Sequence, residues 1–155
     1  MLKQKKGYKF LKPGKLKHRE LELVITKQTE ADPIKKYVPA YHFIMRNAHT
    51  GEKIGDINFR VDNTNLLKFG GHLGYNVKKK FRGNRLASRS VKLLLPFIKK
   101  HGLKKFWITC NPENIASRKT CIYAGGKLVG IYNLPKDNEM YKLGDRKKCR
   151  YLFRL

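Results

Sequence analysis

In the stretch Arg82-Gly83-Asn84-Arg85-Leu86-Ala87, two arginines bracket a glycine, and Lys78 to Lys80 precede it. A glycine turn opening a helix leaves backbone N–H groups without internal partners, pointing at whatever lies beside them, which is the chemistry of an oxyanion site. Arginines there add charge-assisted contacts. The same residues also suit a solvated basic helix start, because a helix terminus alone contributes only about 0.3–2 kcal/mol. The stretch on its own leaves both readings open.

Charge narrows the partners. The chain of 155 residues has a formal net charge of +25, which favours acidic molecules such as nucleic acid, acidic proteins or phosphorylated cofactors and says little about fold. Residues 1–20 hold eight Lys or Arg against one acid, Glu20, and between Asp62 and Glu113 there are twelve Lys or Arg and no acid. Cys110, Cys121 and Cys149 are too far apart for a CxxC zinc or redox pair and read as reduced thiols, so no metal site is expected. No window approaches a membrane span and the basic N-terminus lacks an apolar targeting core. The expectation is a cytoplasmic protein with no membrane partner, as monomer or homodimer.

Elements that would position the turn follow from periodicity. Residues 1–19 read as a basic N-terminal arm, and residues 20–155 as a single domain of a size that buries one core. "ELELVIT" alternates like a strand, residues 40–61 read as a β-hairpin, and Leu73, Tyr75 and Val77 share one face of a further strand. Leu86, Ala87, Val91, Leu94, Leu95 and Ile98 then recur at helical spacing, with Pro96 kinking or tightening the helix and Gly102 ending it. "KFWITC" is a strand, "NPENIASRKTCIYAGG" a turn, helix and glycine stop, and "KLVGIYNL" and "CRYLFRL" are closing strands. This is a mixed α/β order: a central, mostly antiparallel sheet with flanking helices.

Residues 69–126 resemble the acetyl-CoA-binding half of the GNAT superfamily of N-acetyltransferases. The resemblance rests on Gly74-Tyr75-Asn76-Val77, Arg82-Gly83-Asn84-Arg85-Leu86-Ala87, the strand Phe106–Cys110, Asn114-Ile115-Ala116-Ser117 and Gly125-Gly126, in family order. It implies the GNAT-like acyl-CoA N-acyltransferase fold, with acetyl-CoA as acetyl donor. Tyr75, Asn76, Val77, Arg82, Gly83, Asn84, Arg85, Leu86, Ala87, Asn114 and Ser117 then become the cofactor-binding residues. Arg85 stands where the family loop has its second glycine, so its side chain either crowds the pyrophosphate or swings aside. Asn114 is equally a plain helix N-cap.

The resemblance implies acetyl transfer from acetyl-CoA directly to a primary amine. Such transfer needs a neutral amine and a leaving thiolate that is protonated or stabilised. The family's helical tyrosine corresponds to Cys121, a candidate proton donor or a small buried residue. His72 is a candidate base, although strand alternation turns it away from the family's usual positions; Asp56, His42, Tyr123, Tyr132 and Tyr141 are the other titratable candidates. Only "KQTEADPIKKYVP" occupies the place of two family helices, which implies an open acceptor side. Two rival readings remain: a basic nucleic-acid-binding module, and an acyl-CoA-binding GNAT-like protein without catalysis. An acidic or nucleic-acid-associated partner is compatible with each.

Overall fold

The structure, a computed structural model, describes residues 7–62 and 64–155. Among the described residues eight strands form two antiparallel sheets. The larger is ordered β1 (Leu16–His18), β2 (Leu21–Thr29), β3 (Ala40–Asn47), β4 (Lys53–Arg60), β5 (Leu73–Val77). The smaller is ordered β6 (Lys105–Cys110), β8 (Lys147–Arg154), β7 (Lys127–Asn133). Helix α1 (Leu86–Lys99) joins β5 to β6, α2 (Ile115–Tyr123) joins β6 to β7, and a four-residue helix, α3 (Glu139–Lys142), lies in the β7–β8 loop. Among the described residues no helix is long and apolar enough to cross a membrane, and no cluster of His, Cys, Asp or Glu is built to hold a metal.

Alternation decides which face of the large sheet is covered. Leu21, Leu23, Tyr41, Phe43, Met45, Ile57, Phe59 and Leu73 point inward and are buried, meeting Val91, Leu94, Phe97 and Ile98 of α1. The opposite face, with Thr26, His42, Ile44, Asp56, Asn58 and Asn76, is only partly buried or exposed. The segment between β2 and β3 holds one isolated bridge, Asp32–Tyr37, and no helix, so nothing from it covers that face. Pro96 sits exposed inside α1, which runs on to Lys99; Gly102, with φ of 79°, follows its end as expected.

The division at residue 19 does not coincide with a structural break. Leu16–His18 pair with β2 as β1, and Phe10 and Leu11 pack against the core. The Leu11 N–H donates to the Tyr41 hydroxyl at 2.7 Å, and that hydroxyl meets His101 Nε2 at 2.8 Å. Phe10 sits edge-on to Tyr41 with ring centroids 5.2 Å apart. The basic composition of this segment concealed the strand and the Leu11 anchor.

The two sheets touch at one end of β5 and β6. The His72 N–H donates to the Trp107 carbonyl at 2.8 Å, while the His72 carbonyl is taken by the Arg60 N–H. The Trp107 N–H is therefore met by a side chain, His72 Nδ1, at 3.1 Å. Gly71 permits the approach: a Cβ there would stand 3.0 Å from the Thr109 nitrogen, and its φ is 73°. Beyond this clasp no β5–β6 ladder forms, and the strands end up in separate sheets.

Candidate active site

A cavity of about 670 Å³ lies between β5, the turn and start of α1, and α2. Its walls are Tyr75 to Val77 from β5, Arg82 to Ser88 without Asn84 from the turn and start of α1, and Asn114, Ser117 and Tyr123 at α2. Gly83 adopts φ of 88° with open space where a side chain would project, so backbone alone faces the cavity there. Asn84 turns back, its side-chain amide donating to the Phe81 carbonyl at 3.1 Å. No side chain caps the N-terminus of α1. Its first N–H groups thus remain available to an anion, backed by the helix dipole and by Arg82 and Arg85.

Arg85 shows why a glycine suits its position and how an arginine is accommodated. Its φ of 56° is left-handed, a conformation costing a residue with a Cβ roughly 1–2 kcal/mol. Its guanidinium lies 4.1 Å from the centre of the Tyr123 ring. The side chain has swung onto the cavity wall, leaving the N–H cradle clear.

At the far wall the Tyr75 hydroxyl is 2.8 Å from Ser117 Oγ and 3.7 Å from Cys121 Sγ. Burial, and then the neighbouring Cys121, push the Tyr75 phenol well above its usual range, so it keeps its proton. Burial likewise pushes the Cys121 thiol up to about 12. Cys121 is fully buried beneath Tyr75 and does not line the cavity, behaving as the small core residue that was one of its two readings. Asn114 caps α2 by accepting from the Ser117 N–H at 3.1 Å and also lines the cavity.

The structure separates His72 from this group. It is 1% exposed, and both ring nitrogens are committed: Nδ1 accepts from the Trp107 N–H, and Nε2 lies 2.7 Å from the Asp62 carbonyl, to which it donates. Burial holds it below its ordinary value, neutral. Its alternation had warned that it faces away from the cavity.

A second pocket of about 280 Å³ opens on the uncovered face of the large sheet, lined by Thr26, His42, Asp56, Asn58, Gly74, Tyr75 and Asn76, among others. Tyr75 and Asn76 belong to both pockets, so the two meet through β5. His42 Nε2 pairs with Thr29 Oγ1 at 3.1 Å, and burial, with Lys27 and Arg60 nearby, lowers its pKa. Asp56 is tied to Lys53 at 3.0 Å. Tyr132 and Tyr141 stack against Arg150 and Arg146, away from both pockets. Sequence left these candidates level; only the hairpin register, which sets His42 opposite Asn58, separates them.

The sequence model of the acetyltransferase (GNAT) domain matches residues 3–127. No curated protein matches the chain. Among solved structures, the microcin self-immunity acetyltransferase MccE, in complex with acetyl-CoA and AMP, is 20% identical with a TM-score of 0.60, over 75% of this chain and 61% of that one. RimL, a ribosomal-protein α-N-acetyltransferase solved with coenzyme A, is 20% identical with a TM-score of 0.58, over 79% and 64%. A ribosomal-protein-alanine acetyltransferase from Vibrio fischeri is 18% identical with a TM-score of 0.59, over 74% and 61%. The chain thus spans less than two thirds of the length of these three proteins, with which it shares a fold. With a family match over most of its length and the mixed α/β architecture just described, the chain belongs to the GNAT acetyltransferase domain family.

Proposed function

We propose that the protein is an acetyl-CoA-dependent N-acetyltransferase that passes acetyl directly to a primary amine. The observation that carries this reading is that Tyr75 and Asn76 line both pockets. A donor entering from the helix side and an acceptor entering from the bare sheet face would meet at β5.

On the donor side the free N–H groups of α1, with Arg82 and Arg85, bind the pyrophosphate. The pantetheine arm lies along the unpaired edge of β5, taking main-chain hydrogen bonds as an added strand would. On the acceptor side His42 is the base. With Nε2–H given to Thr29, Nδ1 carries the lone pair that accepts the ammonium proton, and its lowered pKa keeps it neutral at pH 7. The amine nitrogen attacks the thioester carbonyl, a C–N bond forms, the C–S bond breaks, and the leaving thiolate takes up the proton that the acylated nitrogen sheds.

Tyr75 stabilises that thiolate. Its raised pKa makes it a hydrogen-bond donor in place, and it reaches the α2 turn that holds Cys121, where the resemblance put a tyrosine. His72 is assigned to holding the fork together. RimL and the Vibrio protein are named as acetyltransferases of ribosomal proteins, and the acceptor face here, over which the β2–β3 segment places no helix, suits a polypeptide amine.

Calorimetry at about 150 mM salt, with ATP as the polyanion control, tests the donor site. Acetyl-CoA should bind at about micromolar Kd, near −8 kcal/mol, and ATP far more weakly. Gly83→Asp, which sets a carboxylate against the pyrophosphate, should abolish binding, while Lys136→Ala should not. Equal weak binding of both ligands would refute the site. Turnover is then sought on a panel of small amines, free peptide α-amines and lysyl peptides.

A further inference from the structure

The end of α1 opposite the acetyl-CoA cavity gathers cations that the proposed reaction does not use. Lys99 and Lys100 end the helix, and Lys104 and Lys105 follow it. The Leu155 N–H donates to the Lys104 carbonyl at 2.9 Å, bringing Arg154 alongside, and the β6–β8 register sets Lys105 directly across from Arg154. Lys12 joins them, because the Leu11 N–H bonds the Tyr41 hydroxyl that His101, two residues past the helix, also holds. All six side chains are exposed, and among the described residues none is ion-paired with a carboxylate.

Three features separate this patch from ordinary solubilising charge. Like charges directly opposite across two strands destabilise a sheet, yet Lys105 and Arg154 stand in that relation with no acid between them. Acids at the same end of the large sheet are engaged locally: Glu30 with the Tyr8 N–H, Asp32 with the Ile34 and Lys35 N–H groups, Asp62 with Thr64. None of the six residues lines the acetyl-CoA cavity, so cofactor phosphates do not account for them. Lys99, Lys105 and Arg154 sit on α1, β6 and β8, and residues 99–105, 154 and 155 include no Phe, Tyr or Trp for bases to stack on. Such a surface fits phosphates held in a fixed array, as on a duplex, better than a flexible single strand.

We infer that this patch docks the sugar-phosphate backbone of a duplex nucleic acid, without reading its sequence, about 20 Å of helix away from the cofactor turn. Binding there is independent of the acetyl-transfer reading: it leaves the cofactor cavity open, so duplex and acetyl-CoA bind together.

The test is fluorescence anisotropy with a labelled RNA duplex of about 20 base pairs, spanning the roughly 16 base pairs that shape-reading modules cover. A DNA duplex of the same sequence and anionic phospholipid vesicles serve as the other arms. Salt is varied, and acetyl-CoA affinity checks folding. The triple variant Lys100→Ala, Lys104→Ala, Arg154→Ala should weaken duplex binding and lower the slope of log K against log salt by about 3, since each lost phosphate contact removes about 0.9. A control with equal charge loss, Lys127→Ala, Lys136→Ala, Lys142→Ala, should change the slope by less than about 1. Binding to either duplex with this pattern supports the inference. Equal losses in the two triples, competition by acetyl-CoA, or binding to vesicles alone would overturn it.

Discussion

The two ends of the fork between β5 and β6 each bury a titratable side chain, and the two groups are used differently. At the closed end His72 spends both nitrogens on backbone, replacing a carbonyl that β4 has already taken. At the open end the Tyr75 hydroxyl is held by side chains of α2, Ser117 and Cys121, on the wall of an open cavity. Burial shifts both pKa values in the direction that favours the neutral form. What distinguishes them is where their polar atoms are committed: a group saturated by backbone holds structure, and one that borders a cavity can meet a ligand.

Removing each group should break different properties. His72→Ala strands the Trp107 N–H and the Asp62 carbonyl in the clasp and leaves a void. Each stranded group costs about 1–3 kcal/mol, so a loss of about 3–5 kcal/mol is expected in urea unfolding. A loss under about 1 kcal/mol would show that the clasp is dispensable. Tyr75→Phe should spare stability and acetyl-CoA affinity but lower kcat about 100–1,000-fold, the range for a single donor to a developing charge. An unchanged kcat would remove Tyr75 from the reaction.

The contrast is sharpened by pH. His72 in the folded protein titrates below the ordinary 6.5, held down chiefly by burial, and His42 and His101 shift the same way. As pH falls below 6.5 the unfolded chain binds protons that the native state refuses, so stability falls with falling pH and levels off below the folded pKa values. Above 6.5 these groups add no slope. Urea unfolding between pH 7.5 and 5 should show this loss, and His72→Asn should reduce it; a pH-independent stability would contradict the burial of neutral His72. The rate of transfer should fall in acid as His42 takes up its proton, and His42→Gln should lower kcat while leaving acetyl-CoA affinity unchanged.

Fold and donor side were legible because they rest on local signals. The 3.6 and 2.0 periods set α1 and the hairpin, and the glycine before an uncapped helix is visible in six consecutive residues. The pocket on the bare sheet face was not legible, because His42 and Asn58 are neighbours only through register, and register follows from the packing of the opposite face. Strand β1 was concealed by its shortness: Leu16 is the single apolar residue in LKH, too short a pattern to stand out from a charged arm. The His72 clasp depends on where two strands part, a property of neither strand's own sequence.

Arg85 offers the finest cut between fold and cofactor chemistry, because the two respond in opposite directions there. Glycine tolerates the φ of 56° that arginine strains to adopt, so Arg85→Gly relieves roughly 1 kcal/mol of backbone strain. It also surrenders the stacking on Tyr123, worth about 0.5–1 kcal/mol at a partly exposed site. Net stability should therefore move by less than about 1 kcal/mol. Acetyl-CoA affinity should fall about three- to tenfold, as one charge-assisted contact is lost while the N–H cradle remains. If affinity instead rises, the guanidinium obstructs the pyrophosphate from its seat on Tyr123, and the cradle binds by backbone alone.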